Sequence, residues 1–150
     1  MYYNTSMSDI PIQKLTPELS VTNLKKSLIF YCDILGAKVL FDRPDEGFAY
    51  ITIEDSQLML DEIGKTRTWE TGEFSYPLGR GINFQIEIED METILNNLEK
   101  NNIKLFMEPE EKWYRTGDVE SGQRQFLVQD PDGYLLRFAK HLGERPLQLS

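Results

Sequence analysis

The sequence predicts an α+β fold in which one pattern, strand–helix–strand–strand–strand, occurs twice, each helix lying on one face of an antiparallel or mixed sheet. Three observations carry this. Asn23 and Asp90 are each good helix N-caps opening an apolar stripe; a short alternating run precedes each; three further strand signals follow each.

In the first copy Pro17, Leu19 and Val21 point one way, and Thr16, Glu18 and Ser20 the other. After Asn23, apolar residues at 24, 28, 31 and 35 give the three-and-four spacing of a helix with one buried side, and Gly36 supplies a left-handed stop. Strand signals then run over Lys38–Asp42, Phe48–Glu54 and Gln57–Glu62. In the second copy Phe84, Ile86 and Ile88 oppose Asn83, Gln85 and Glu87. The helix after Asp90 has apolar residues at 91, 94, 95 and 98, with Asn102 as its left-handed stop. Strands follow at Lys104–Met107, Gln123–Gln129 and Tyr134–Ala139.

Two long stretches read as irregular. Gly64–Gly81 holds four glycines and a proline, and Glu108–Gly122 interrupts the second copy. Each carries a tryptophan, Trp69 and Trp113, which either walls a binding site or pins its loop to the body. The boundaries that follow are an N-terminal extension over 1–13 and one domain over 14–150. That domain divides into a module at about 14–63, a linker at 64–81 and a module at about 82–142.

Composition narrows the chemistry. In 150 residues there are 25 acids, 16 bases, one histidine and one cysteine. A net charge of −9 repels phosphate backbones and anionic membrane surfaces, so neither nucleic acid nor membrane is an expected partner. Between Asp42 and Glu120, 19 acids stand against 8 bases, net −11, which is either a solvated surface or a groove that attracts a cation. His141 and Cys32 alone build no His-rich metal centre, zinc ribbon or disulfide framework. The opening MYYNTSMSDIPIQ has neither the basic start nor the apolar stretch of a signal peptide, no apolar run approaches a membrane span, and the cysteine is unpaired. The expectation is a cytoplasmic protein.

Four local motifs bear on chemistry. Asp130–Gly133, DPDG, puts its glycine at the wrong position for a calcium loop and reads as a tight turn between the last two strands. Gly79-Arg80-Gly81 lacks a third glycine and leads into a strand, so it is no dinucleotide loop. Cys32 has no base in its neighbourhood of sequence, and His141 reads as a surface residue beyond the last strand. Glu18 and Glu87 occupy corresponding positions in the two copies. As a pair they would serve as general base and partner, or hold a cation, or be an ordinary wet face.

Val21–Gly36, V-x-N-L-x-x-S-x-x-F-Y-x-x-x-L-G, resembles the opening of a module in the glyoxalase/bleomycin-resistance/dioxygenase (vicinal oxygen chelate) superfamily. Phe126–Phe138, F-L-V-Q-D-P-D-G-Y-L-L-R-F, resembles the closing hairpin of that family's second module. The resemblance implies a pair of βαβββ modules whose sheets curl around a cleft, helices outside. It also implies four metal-ligand positions, which fall here on Thr16, near Leu60, on Asn83 and on Arg137. None is a histidine or carboxylate, and a fixed guanidinium repels a cation. The departure points to the bleomycin-resistance branch, whose members are metal-free homodimers that sequester a cationic antibiotic. No cofactor and no catalytic residue are then expected. The ligand contacts would be Glu18, Phe48, Tyr50, Asn83, Gln85, Glu87, Trp113 and Arg137. The tryptophan of that branch is replaced around Ser121, leaving Trp113, Tyr114 and Trp69 as substitutes. The competing expectations are a lyase, isomerase or dioxygenase of the same superfamily, and a protein serving an unknown metabolite.

Overall fold

A computed structural model describes residue 11 and residues 13–66 and 69–148. The expected extension over 1–13 therefore lies almost wholly outside the described residues. The chain falls into two compact units that divide between Leu78 and Gly79.

The first unit contains β1 (Glu18–Val21), α1 (Leu24–Leu28), β2 (Lys38–Arg43), β3 (Phe48–Ile53) and β4 (Ser56–Glu62). Asn23 caps α1 as expected, its side chain accepting from the Lys26 N–H at 3.0 Å. A second cap arrives from β4, where Glu62 Oε1 accepts the Leu24 N–H at 2.8 Å. Beyond Leu28 the helix widens into a π-helical segment, Ile29–Ile34, in which the Leu35 N–H reaches the Phe30 carbonyl at 3.0 Å. The widening breaks the uniform 24–28–31–35 stripe: Leu28 is half-buried, while Ser27, Phe30 and Ile34 join Leu24, Tyr31 and Leu35 inside. Gly36 ends the helix at φ 83°, the left-handed geometry expected of it.

Strand order is β1-β4-β3-β2, with β1 parallel to β4 and the other pairs antiparallel. The mixed sheet follows from the crossover, because a helix between β1 and its partner forces those two strands parallel. Leu19, Leu60 and Ala49 lie side by side on the face toward α1, as do Ile51 and Leu58. A bulge at Leu40 then turns Phe41 to the opposite face, beside Tyr50.

The second unit repeats the plan: β5 (Asn83–Glu87), α2 (Met91–Lys100), β6 (Met107–Thr116), β7 (Val119–Gln129) and β8 (Leu135–Pro146), ordered β5-β8-β7-β6. Asp90 caps α2 through the Thr93 N–H at 3.1 Å, and Asn102 takes a positive φ of 57° after it. Met91, Ile94 and Leu98 are buried. They face a core in which Phe126 and Phe138, both fully buried, stack 5.3 Å apart.

Two expectations are corrected here. The segment 108–122 is not an irregular loop; most of it is a β-hairpin, with β6 and β7 joined at Gly117–Asp118 and Gly117 at φ 68°. Its charged outer positions concealed the strand, because both faces of this arm are largely exposed and no apolar alternation marks it. His141 likewise stands inside β8, paired with Gln123, rather than beyond the last strand. The DPDG turn does form. The Gly133 N–H donates to the Asp130 carbonyl at 3.0 Å, and Asp130 Oδ1 accepts from the Asp132 and Tyr134 N–H groups at 2.9 Å. Gly79 is a close-approach glycine against this turn, since a Cβ there would lie 2.7 Å from Tyr134 Cα.

Candidate functional site

In each unit one sheet face carries the helix, and the other presents polar and aromatic side chains. On this second face of the first unit, register aligns Glu18, Met59, Tyr50 and Phe41 in one row. Ser20, Asp61, Phe48 and Arg43 form the adjacent row. Phe41 stacks on Tyr50 at 4.9 Å, and Leu40, Phe48 and Tyr50 form a cluster that Phe41 and Met59 extend. The Tyr50 hydroxyl donates to Gln57 Oε1 at 2.5 Å and lies 3.4 Å from the Thr16 hydroxyl. Gln57 Nε2 in turn donates to the Pro11 carbonyl at 2.7 Å.

Charge on this face is concentrated at three groups. The Arg43 guanidinium lies 4.0 Å from the centre of the Phe48 ring and is ion-paired to Glu46. Asp61 is only 7% exposed. Its pKa is raised first by burial, with Glu46 adding to the rise and Arg43 opposing it. Glu18, more open, is raised by partial burial and then by the Asp61 charge, again against Arg43. Two carboxylates and an aromatic platform therefore stand together, and their mutual repulsion and desolvation favour an added positive charge.

On the corresponding face of the second unit, Gln85, Arg137 and Leu127 align, as do Glu87, Ala139, Gln125 and Glu110. Gln125 is buried and donates to Tyr114 Oη at 2.7 Å and Glu110 Oε1 at 3.0 Å. Gln123 Nε2 donates to Gln125 Oε1 at 2.6 Å and reaches Gln85 Oε1 at 3.5 Å. The Arg137 Nε–H is buried without a hydrogen-bond partner among the described residues. Asn83 and Glu87 are exposed.

Of the expected contacts, Glu18, Phe48 and Tyr50 thus share one face of the first unit, and Asn83, Gln85, Glu87 and Arg137 one face of the second. Trp113 stands on the other side of its sheet. Its ring packs on Gly122, where a Cβ would approach it to 2.6 Å, and beneath the Arg145 guanidinium at 4.2 Å. Tyr114, its neighbour, points to the Gln125 side instead. Trp69 is 67% exposed. Sequence reasoning does not single out Asp61, Arg43, Gln125 or Glu110. Alternation from Gln57 puts Asp61 on the same face as Gln57, but only the register shows it between Ser20 and Phe48.

The four positions assigned to metal ligands do not fit a divalent ion. Leu60 is fully buried on the helix face, Thr16 contacts Tyr50, Asn83 offers an amide and Arg137 a fixed positive charge. Among the described residues no three His, Cys, Asp or Glu side chains come together. Cys32 is buried, which pushes its thiol up to about 11, so it is no nucleophile at neutral pH. Two surface cavities, of about 410 and 440 Å³, lie elsewhere, along α1 and beside α2.

Residues 13–138 match the family described as Glyoxalase/Bleomycin resistance protein/Dioxygenase superfamily. A probable lactoylglutathione lyase from Synechocystis is 31% identical over 77% of this chain and 86% of its own. A bleomycin resistance protein from Geobacillus stearothermophilus is 27% identical over 84% of this chain and 95% of its own. Among solved structures, TioX from Micromonospora sp. ML1 superimposes with a TM-score of 0.66 at 16% identity, covering 87% of this chain and 99% of that one. This last likeness concerns the fold alone.

Proposed function

The chain belongs to the glyoxalase/bleomycin resistance protein/dioxygenase superfamily, and from that premise we propose that it binds and sequesters a small molecule without a metal, in the manner of a bleomycin resistance protein. The ligand is a cationic or aromatic compound of the antibiotic type. Glu18, Phe48 and Tyr50 of the first unit contact it. One observation carries this reading: the aromatic platform of Phe41, Phe48 and Tyr50 is flanked by two carboxylates whose charge is incompletely balanced. Such a cluster, in which Phe48 and Tyr50 are only 5% and 6% exposed, would take up a flat cation through ring quadrupole and Coulomb forces together. The protein acts in the cytoplasm as a homodimer; light scattering at micromolar concentration checks the second point.

Calorimetric titration with bleomycin-type drugs tests the reading. A saturable, stoichiometric response is expected, and no response at high micromolar drug removes that ligand. A second reading, a lyase of the same superfamily, is favoured by the 31% identity to the probable lactoylglutathione lyase. Metal analysis of the purified protein, with an assay for lactoylglutathione turnover, separates the two. A stoichiometric divalent ion together with turnover would replace the binding reading.

A further inference from the structure

Arg137 stands on β8 in the polar face of the second unit, half-buried, with Gln85 of β5 on one side and Leu127 of β7 on the other. Its Nε–H is buried without a hydrogen-bond partner, and among the described residues the guanidinium makes no hydrogen bond and no ion pair. A carboxyl group can relieve burial by taking up a proton, but a guanidinium keeps its charge and all its donors. A charged donor shut off from water and left without an acceptor is costly to the fold, so the missing acceptor has to come from outside the chain.

The neighbours of Arg137 offer donors. Gln85 Oε1 is taken by Gln123 Nε2 at 3.5 Å, and the same Nε2 donates to Gln125 Oε1 at 2.6 Å. Gln125 Nε2 passes the chain on to Glu110 and Tyr114. That direction leaves Gln85 Nε2 as the unengaged end among the described residues, an NH₂ group that can only donate. The link from Gln123 to Gln85 is also the longest in the network, so the Gln85 amide turns at little cost. Glu87 and Glu110 share this face but do not neutralise Arg137. Glu87 is exposed and diagonal to it without pairing, and Glu110 lies two strands away, engaged by Gln125.

We propose that Arg137 and Gln85 form a carboxylate subsite on the second unit. The carboxylate accepts from Arg137 Nε–H and a terminal N–H side by side, and from Gln85 Nε2. A planar fork with two parallel N–H donors matches the two oxygens of a carboxylate. Arg137 falls on the fourth position assigned to metal ligands, and the misfit there acquires a meaning: the chain itself supplies the positive charge, so the complementary group is an anion. This subsite does not depend on the cation reading of the first unit.

Titration with benzoate, followed by calorimetry and by the Arg137 Nε–H resonance in nitrogen-15 spectra, tests the proposal. Neutral benzamide and inorganic phosphate serve as controls for charge and for shape. Benzoate should bind saturably and shift that resonance, while benzamide does neither and phosphate binds more weakly. Arg137→Met should weaken benzoate binding about tenfold or more, the worth of a hydrogen bond to a charged group, and Gln85→Leu about three- to tenfold. Arg137→Lys, which keeps the charge and loses the fork, should also bind benzoate more weakly than the unaltered chain. Without benzoate, Arg137→Met should melt no lower than the unaltered chain, because it removes a donor that the fold leaves unpaired. A fall of several degrees would show that the guanidinium has its partners within the fold, and overturns the proposal. Benzoate binding unchanged in Arg137→Met, or matched by benzamide or phosphate, overturns it as well. A bleomycin-type drug titrated in parallel separates the two claims. Drug binding with no response to benzoate removes the carboxylate subsite alone, and benzoate binding without drug binding removes only the antibiotic.

Discussion

Asp61 shows how a single side chain can be costly to the fold. Burial raises its pKa, so the folded chain holds the Asp61 proton more tightly than the unfolded chain does. Stability contributed by that proton is fully present below the ordinary aspartate value of 3.8 and is lost as pH rises through the folded value. The Asp61→Asn chain should therefore melt above the unaltered chain at pH 7, with the gap closing as pH approaches 3.8. Calorimetric melting temperatures across that range check the sign; a gap that widens on acidification would show that the carboxylate is stabilising when charged. Asp90 behaves oppositely. Its pKa is lowered by the Thr93 hydroxyl, then by the Thr93 N–H, so its contribution is present above the ordinary value and disappears in acid. Glu18 and Asn83 were legible from alternation alone, whereas Asp61 was not, because a side chain's neighbours across strands depend on register and register is a tertiary quantity.

At the scale of elements, local chemistry and long-range packing divide the work unequally. Both caps, both left-handed stops and the DPDG turn were legible in the sequence because each is decided within four or five residues. Removing the first cap with Asn23→Ala should cost about 1 kcal/mol in a denaturant melt. The Leu24 N–H would still be satisfied by Glu62, which limits the damage. The π-helical widening at Ile29–Ile34 and the hairpin arm over 108–122 were not legible. The first adds Phe30 and Ile34 to the buried side that the 24–28–31–35 spacing marks; the second is a strand pair with little apolar face. Trp113 anchors that hairpin by lying flat on Gly122. Gly122→Ala should destabilise by about 1–3 kcal/mol, the usual cost of overpacking, and shift the emission of Trp113 as its ring is pushed away. An unshifted spectrum would place the ring elsewhere.

For the whole molecule, the repeated topology was the most legible property, since two identical orders of elements are visible without any tertiary information. The donor types at the four family positions make one further expectation testable on the intact chain. Prolonged exposure to EDTA should leave the melting temperature unchanged, and a fall of several degrees would reveal a stabilising metal. The length of β6 has a different consequence. It is the last strand of its sheet and among the described residues is bonded there only to β7, so ten residues of backbone could template another chain. Pro109 interrupts that edge, and Glu108, Glu110 and Glu111 stand exposed along it. Two copies meeting edge to edge would oppose those glutamates, a repulsion that lasts only while they are ionised. As pH falls toward the isoelectric point of 4.6 the guard is withdrawn, and concentrated protein should turn cloudy there first.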